Sequence, residues 1–214
     1  MLSDFQKAAQ YIVNQRGLIG SLLFQHLQIT IIALLVALLI AVPLGVALVR
    51  YRWLATPVLG LLGILYTIPS LALLIFFIPI FGLGADNAIA TLIIYAQVIL
   101  VRNTVVGLGA VSPAMLEAAT GMGMSAWTRW WRVELPLALP IILAGVRVAT
   151  VMIIGIATIA ARIGAGGLGT LLFSGLQLIR NDMIWAGALI IGLLALAANG
   201  SLLALEKLLV KGPR

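Results

Sequence analysis

Residues 117–136 read EAATGMGMSAWTRWWRVELP. This window holds two of the six acidic residues, two of the thirteen basic residues and three of the five tryptophans, in a chain otherwise dominated by Leu, Ile, Val, Ala and Gly. The chemistry these residues offer is recognition. Glu117 lies early in a helical stretch, where a carboxylate suits the helix dipole and can cap it or pair with a partner. Ala118 and Ala119 are small enough for close approach. Gly121 and Gly123 permit a sharp reversal, and Ser125 is suited to cap a second helix. Trp127, Trp130 and Trp131 follow i, i+3, i+4 spacing and are expected on one face, with Arg129 and Arg132 pointing elsewhere. Pro113 suits a first helical turn, and Pro136 fixes how the segment joins the next helix. The expectation is a helix–turn–helix elbow with an apolar face and a charged face. It either lies on a membrane surface or is presented to a soluble partner.

Other residues with chemical potential are scattered. Arg147 falls near the centre of an apolar run, where an arginine costs about 2.5–3.5 kcal/mol on insertion scales and so must face protein or water. It is read either as a gate or path residue or as a partner for carbonyls freed at a kink such as Pro140. Arg102 and Asn103 offer a second polar station, unless Arg102 snorkels to the interface. Tyr66, Tyr95, Phe76 and Phe77 present aromatic faces that attract organic cations, or simply pack. His26 is the only histidine and too few ligands accompany it for a metal site, so it is read as an interface residue. The glycines of GAGGLG, residues 164–169, follow no strand, which argues against a phosphate loop. They are read as a flexible outer turn or as a connector. Cys is absent, which excludes disulfides and thiolate metal sites. No His, Asp or Glu cluster of the kind a membrane enzyme places at the interface is present.

The elements that position these residues follow from composition. The 214 residues are 63% hydrophobic and 9% charged, with a mean hydropathy of +1.21. A soluble domain is nearer a quarter charged, so this is an integral membrane protein. The net charge of +7 comes from singly scattered cations without interleaved stacking aromatics, so no nucleic-acid partner is expected. The reading is an all-α membrane protein with about five transmembrane helices, over about 27–49, 57–81, 88–109, 136–161 and 183–205. The elbow occupies 112–135, and a peripheral or re-entrant helix 168–179. Residues 1–24 form a polar interfacial segment rather than a signal peptide, and 25–214 form one transmembrane domain. Asp86 and Asn87 are expected to cap the third span. Pro43, Pro69, Pro79 and Pro140 interrupt helices. Small residues (Gly145 with Ala149, Ala157 with Ala161, Ala188 with Gly192) mark helix contacts. With the N-terminus outside, Arg50, Arg52, Arg102, Arg129, Arg132, Lys207, Lys211 and Arg214 are cytoplasmic. Lys7, Arg16, Arg162 and Arg180 are then outside, and eight against four obeys the positive-inside rule.

The pattern Glu117-Ala118-Ala119, three residues, Gly123, nine residues, then Val133-x-Leu135-Pro136 resembles the cytoplasmic loop of importer-type ATP-binding-cassette permeases; Val133 stands where Ile is usual. YTIPSLALLIFFIPIFGLG (66–84), VRNTVVGL (101–108) and IGAGGLGTLLFSGL (163–176) are similar to the osmoprotectant branch, whose cargoes are glycine betaine, choline, carnitine and related quaternary amines. Methionine-importer permeases share the overall plan. The resemblance implies a methionine-importer-like permease fold in a prokaryotic cell membrane. It implies that Glu117, Ala118, Ala119, Gly123, Met124, Leu135 and Pro136 couple to a cytoplasmic ATPase dimer that uses ATP and Mg, with no cofactor on this chain. A second permease copy or a sister permease completes the path, and an extracytoplasmic substrate-binding protein delivers cargo. The chain has no Gly-x-x-x-x-Gly-Lys-Ser/Thr loop, so the ATPase is expected to be separate. Tyr66, Pro69, Ser70, Tyr95, Asn103 and Arg147 are expected along the path, and Gly164, Gly166, Gly167 and Gly169 at an outer gate or turn. Since a bare arginine repels a quaternary ammonium, Arg147 is then structural, or it greets the carboxylate of a zwitterion. Methionine or another small solute is the alternative cargo; a membrane enzyme or an assembly protein is the rival class.

Overall fold

A computed structural model describes residues 2–209, so Lys211 and Arg214 of the charge count lie outside the described residues. The described residues are helical, without strands. In order the helices are α1 (Leu2–Asn14), α2 (Arg16–Arg50), α3 (Arg52–Thr67), α4 (Ser70–Phe76), α5 (Ile78–Phe81), α6 (Ala85–Gly109), α7 (Pro113–Gly121) and α8 (Ala126–Arg129). A π-helical turn (Trp130–Glu134) leads into α9 (Leu135–Ala160). A 3₁₀ turn (Ala161–Ile163), α10 (Gly169–Gln177) and α11 (Asn181–Leu209) complete the chain. Four continuous helical stretches are long and apolar enough to span a bilayer, and the bent pair α3–α4 makes a fifth.

The central helix is α6, packed against α2, α3 and α9. Lipid supplies no hydrophobic drive between helices, so contact depends on small residues that let backbones approach. Ala33, Ala37, Ala41 and Gly45 form such a seam along α2, repeating every four residues and fully buried. The sequence reading did not single them out. Gln97 of α6 donates to the Ala37 carbonyl at 3.2 Å across this seam. On α9, Gly145, Ala149 and Ala157 are buried, as expected. Gly145 receives the Asn103 side chain so closely that a β-carbon there would overlap it. Ala188 and Gly192 instead lie exposed; it is Gly187 that packs, against Leu171 and Leu172 of α10.

Two expected boundaries change. The first long helix begins at Arg16 rather than near 27, because nothing in 16–26 stops a growing helix. The second span is not one rod over 57–81. Proline disfavours helical backbone at the preceding residue, and Ile68 before Pro69 is extended (φ −65°, ψ 129°). Helices α3 and α4 therefore meet at 93°. The carbonyl freed at Ile68 accepts the Tyr95 hydroxyl. Asn87 donates to the Leu74 and Gly82 carbonyls at 3.0 and 2.9 Å. It thus closes the turn before α6 instead of capping it; the N-cap is Gly84.

The two ends of the bundle are chemically distinct. Arg50 at the end of α2 shares a cavity with Arg129 and Glu134 of the elbow region. At the opposite end Arg180 lies with Lys7, Tyr11 and Asp182, and its guanidinium sits 5.3 Å over the Tyr11 ring. The amphipathic α1 packs on α11 there, with Phe5 and Trp185 rings 4.8 Å apart.

Candidate functional site

The elbow folds as its residue types require. Ser112 is the N-cap of α7, with Pro113 in the first turn. The helix ends in a Schellman arrangement. Gly123 takes φ 77°, its N–H bonds the Thr120 carbonyl at 2.9 Å, and the Met124 N–H reaches back to the Ala119 carbonyl at 3.1 Å. Only glycine adopts this left-handed backbone without cost. Ser125 then caps α8, accepting the Thr128 N–H at 3.2 Å.

A feature missed from sequence fixes the angle of the elbow. Arg129 donates through Nε to Glu134 at 2.9 Å and through Nη1 to Thr120 at 2.9 Å. One guanidinium thus ties the end of α7 to the start of α9. The only sequence signal was an acid five residues after a base, which is not helical pairing spacing in an α-helix. Here the backbone widens into a π turn, and the Leu135 N–H bonds Trp130, five residues back. Pro136 explains the widening: its missing N–H and its ring exclude the ordinary bond to Arg132.

The tryptophans do not share one face. Trp127 and Trp131 stack edge-to-face at 5.5 Å and are 71% and 51% exposed. Trp130 turns inward onto Leu108, Ala138 and Ile142. Glu117 and Ala118 are exposed, but Ala119 is only 1% exposed. Close approach by a partner is therefore available at Ala118, while Ala119 serves the internal packing. Met124 and Leu135 are half-buried and Pro136 is exposed. An open cavity of about 480 Å³ lies between Glu117, Thr120, Gly121 and Arg129.

The expected path residues divide. Tyr66 and Asn103 line one cavity of about 480 Å³, together with Arg102 and Val148. Tyr95 lies beneath, 5% exposed, its ring 5.8 Å from that of Tyr66. Pro69 and Ser70 form the helix break above, Pro69 exposed and Ser70 half-buried. Asn103 spends its amide N–H on the Ile99 carbonyl at 2.8 Å. Arg147 does not join them. It faces α11 and pairs with Glu206 at 3.4 Å, while its neighbour Val148 faces the cavity.

The glycine turn is seated rather than loose. Gly164, Gly166 and Gly167 all have positive φ. The Gly167 N–H bonds Gln25 of α2 at 3.1 Å, and the Gly84 N–H bonds the Ile163 carbonyl at 3.0 Å. Gly169 abuts the Thr158 carbonyl of α9. His26, read as an interface residue, is instead buried beneath Gly167.

Among known proteins, residues 29–214 match the model of a family described as the binding-protein-dependent transport system inner membrane component. The chain is 45% identical over 210 residues to the osmoprotectant import permease protein OsmW of Salmonella typhimurium, covering 95% of this chain and 98% of that protein. It is 43% identical over 191 residues to the glycine betaine/carnitine/choline transport system permease protein OpuCB of Bacillus subtilis, covering 88% of each. It is 42% identical over 183 residues to the carnitine transport permease protein OpuCB of Listeria monocytogenes, covering 86% and 84%. Among solved structures, the MetNI methionine transporter in an inward-facing form superposes with a TM-score of 0.80 at 20% identity, over 92% of this chain and 98% of that one. An amino acid ABC transporter with histidines gives 0.68 at 19% identity, over 94% and 96%. These two likenesses concern the fold.

Proposed function

From the premise that this chain belongs to the binding-protein-dependent transport inner membrane component family, the membrane-spanning permeases of ATP-binding-cassette importers, we propose that it carries a small osmoprotectant such as glycine betaine, choline or carnitine. Family membership brings an ATPase partner that consumes ATP and a binding protein that supplies cargo. The chain forms half of the pathway; a second copy or a sister permease forms the other half. Its N-terminus lies outside and its C-terminus in the cytoplasm. Supporting this orientation, Arg50 clusters with the elbow at one end of the bundle and Lys7 and Arg180 sit at the other.

The observation that carries the coupling role is the cross-braced elbow. A lever must hold its angle under load, and here the Schellman end of α7, the Arg129 clamp and the unbroken run of helical backbone into α9 all oppose bending. The exposed Glu117, Ala118 and paired tryptophans form the surface that the ATPase grips. When the nucleotide-bound ATPases close, the push on α7 and α8 passes into α9 and so to α6. The seated glycine turn at the far end closes the outer mouth. The cargo class is supported by the names of relatives 42–45% identical over most of the chain.

The test is uptake into proteoliposomes holding the permease, its ATPase and its binding protein. Labelled glycine betaine should accumulate faster with ATP than without it. Equal rates would refute the transport role, and ATP-dependent uptake of methionine instead would refute the cargo.

A further inference from the structure

Arg102, rather than Arg147, is the arginine that opens onto the cavity between α3, α6 and α9. The remaining lining is aromatic or apolar apart from Asn103, a neutral amide that spends one N–H on its own helix. Arg102 is exposed and makes no ion pair or side-chain hydrogen bond among the described residues. Arg147, by contrast, is occupied by Glu206. Arg102 lies seven residues before the end of α6, about 10 Å along the axis. A cation there is met by water, by an anion or by the interface to which it snorkels, and the cavity supplies the first two. Tyr66, 44% exposed, stands on the same cavity and brings an aromatic ring.

We propose that this cavity is a substrate subsite for zwitterionic amines, in which Arg102 takes the carboxylate and the Tyr66 ring takes the quaternary ammonium. The chemistry is complementary at both ends. A guanidinium offers forked N–H donors matched to a carboxylate, and an aromatic face attracts a cation that has no N–H of its own to donate. The site therefore discriminates by charge. Glycine betaine and carnitine carry both groups and engage both residues. Choline has no carboxylate, gains nothing from Arg102 and is repelled by it. This rests on the osmoprotectant reading above and deepens it, because it names the member of the class that the membrane path favours.

The first experiment compares uptake of glycine betaine with uptake of choline by the reconstituted complex. Arg102→Gln should lower the betaine-to-choline uptake ratio by about tenfold, the loss of one charge-assisted contact. Arg102→Lys should keep a third or more of the ratio, and Tyr66→Leu should depress both solutes. An equal fall for both solutes in Arg102→Gln, or an unchanged ratio, overturns the proposal; the latter is the result if Arg102 pairs with lipid headgroups. The second experiment needs no transport. The chain contains no cysteine, so Val148→Cys places a single thiol on the cavity wall. An anionic thiosulfonate reagent should label it several-fold faster, relative to a quaternary-ammonium reagent of similar size, when Arg102 is present than in Arg102→Gln. A thiol that is unreactive, or indifferent to reagent charge, overturns the proposal. Should the wild-type complex carry neither solute while the charge-dependent labelling holds, the cargo assignment fails and the cationic subsite stands.

Discussion

Replacing Gly123 separates the two properties the elbow needs, its internal winding and its fit to a partner. Gly123 holds φ 77°, and its N–H and the next one close the end of α7 onto Thr120 and Ala119. An L-residue in that backbone costs about 1–2 kcal/mol, which shifts the local equilibrium by about 5–30-fold. Space is not the constraint, since a β-carbon at this position meets nothing within 4 Å in the chain. Gly123→Ala should therefore slow ATP-driven uptake by about fivefold or more through backbone strain alone. Gly123→Asn tolerates the left-handed region and should recover to within about twofold of wild type. Gly123→Glu carries the same backbone strain as alanine and in addition projects a charged side chain from the elbow surface. It should abolish co-purification of the ATPase while the helices remain inserted. The assays are uptake in proteoliposomes and retention of the ATPase on immobilised permease. Alanine performing like glycine, or alanine and asparagine failing equally, would refute the strain argument. ATPase retained at the wild-type level by Gly123→Glu would refute docking at this turn.

Arg129→Ala removes both braces of the elbow at once; with the side chains about a quarter to a third exposed, the loss should be about 1–2 kcal/mol of local stability, read as faster hydrogen exchange in 113–134. Arg147→Leu should lower the thermal midpoint of the purified permease by leaving Glu206 unpaired, an effect of about 1–3 kcal/mol, and should leave the betaine-to-choline ratio unchanged because Arg147 lies outside the cavity. Exchanging the pair as Arg147→Glu with Glu206→Arg should recover most of that midpoint, and no recovery would mean the contact is incidental. Gly145→Val must displace Asn103, an overpacking cost of about 1–3 kcal/mol that should lower the midpoint, whereas Gly192→Val, at an open position, should leave it nearly unchanged.

The sequence by itself determined the class of solvent, the helical fold and the wet segment. Those properties are additive over neighbours: a run of some twenty apolar residues needs a bilayer and a helix whatever surrounds it. Local backbone rules were equally legible, which is why the turn at Gly123 and the cap at Ser125 follow the residue types. The break at Pro69 was legible only as an interruption, and its 93° angle was not. What the tertiary structure decided was pairing. Along the chain Arg147 and Arg102 differ only in how far they lie from a span end, each one cation in an apolar helix. Which one is neutralised depends on whether a carboxylate 59 residues away in sequence, Glu206, comes within reach. The same holds for Trp130 against Trp127 and Trp131, where Leu108, Ala138 and Ile142 receive one ring and leave the other two outside. Contacts between distant residues, and the small changes of helical pitch that aim a side chain, depend on the packed arrangement as a whole, and no local pattern encodes them.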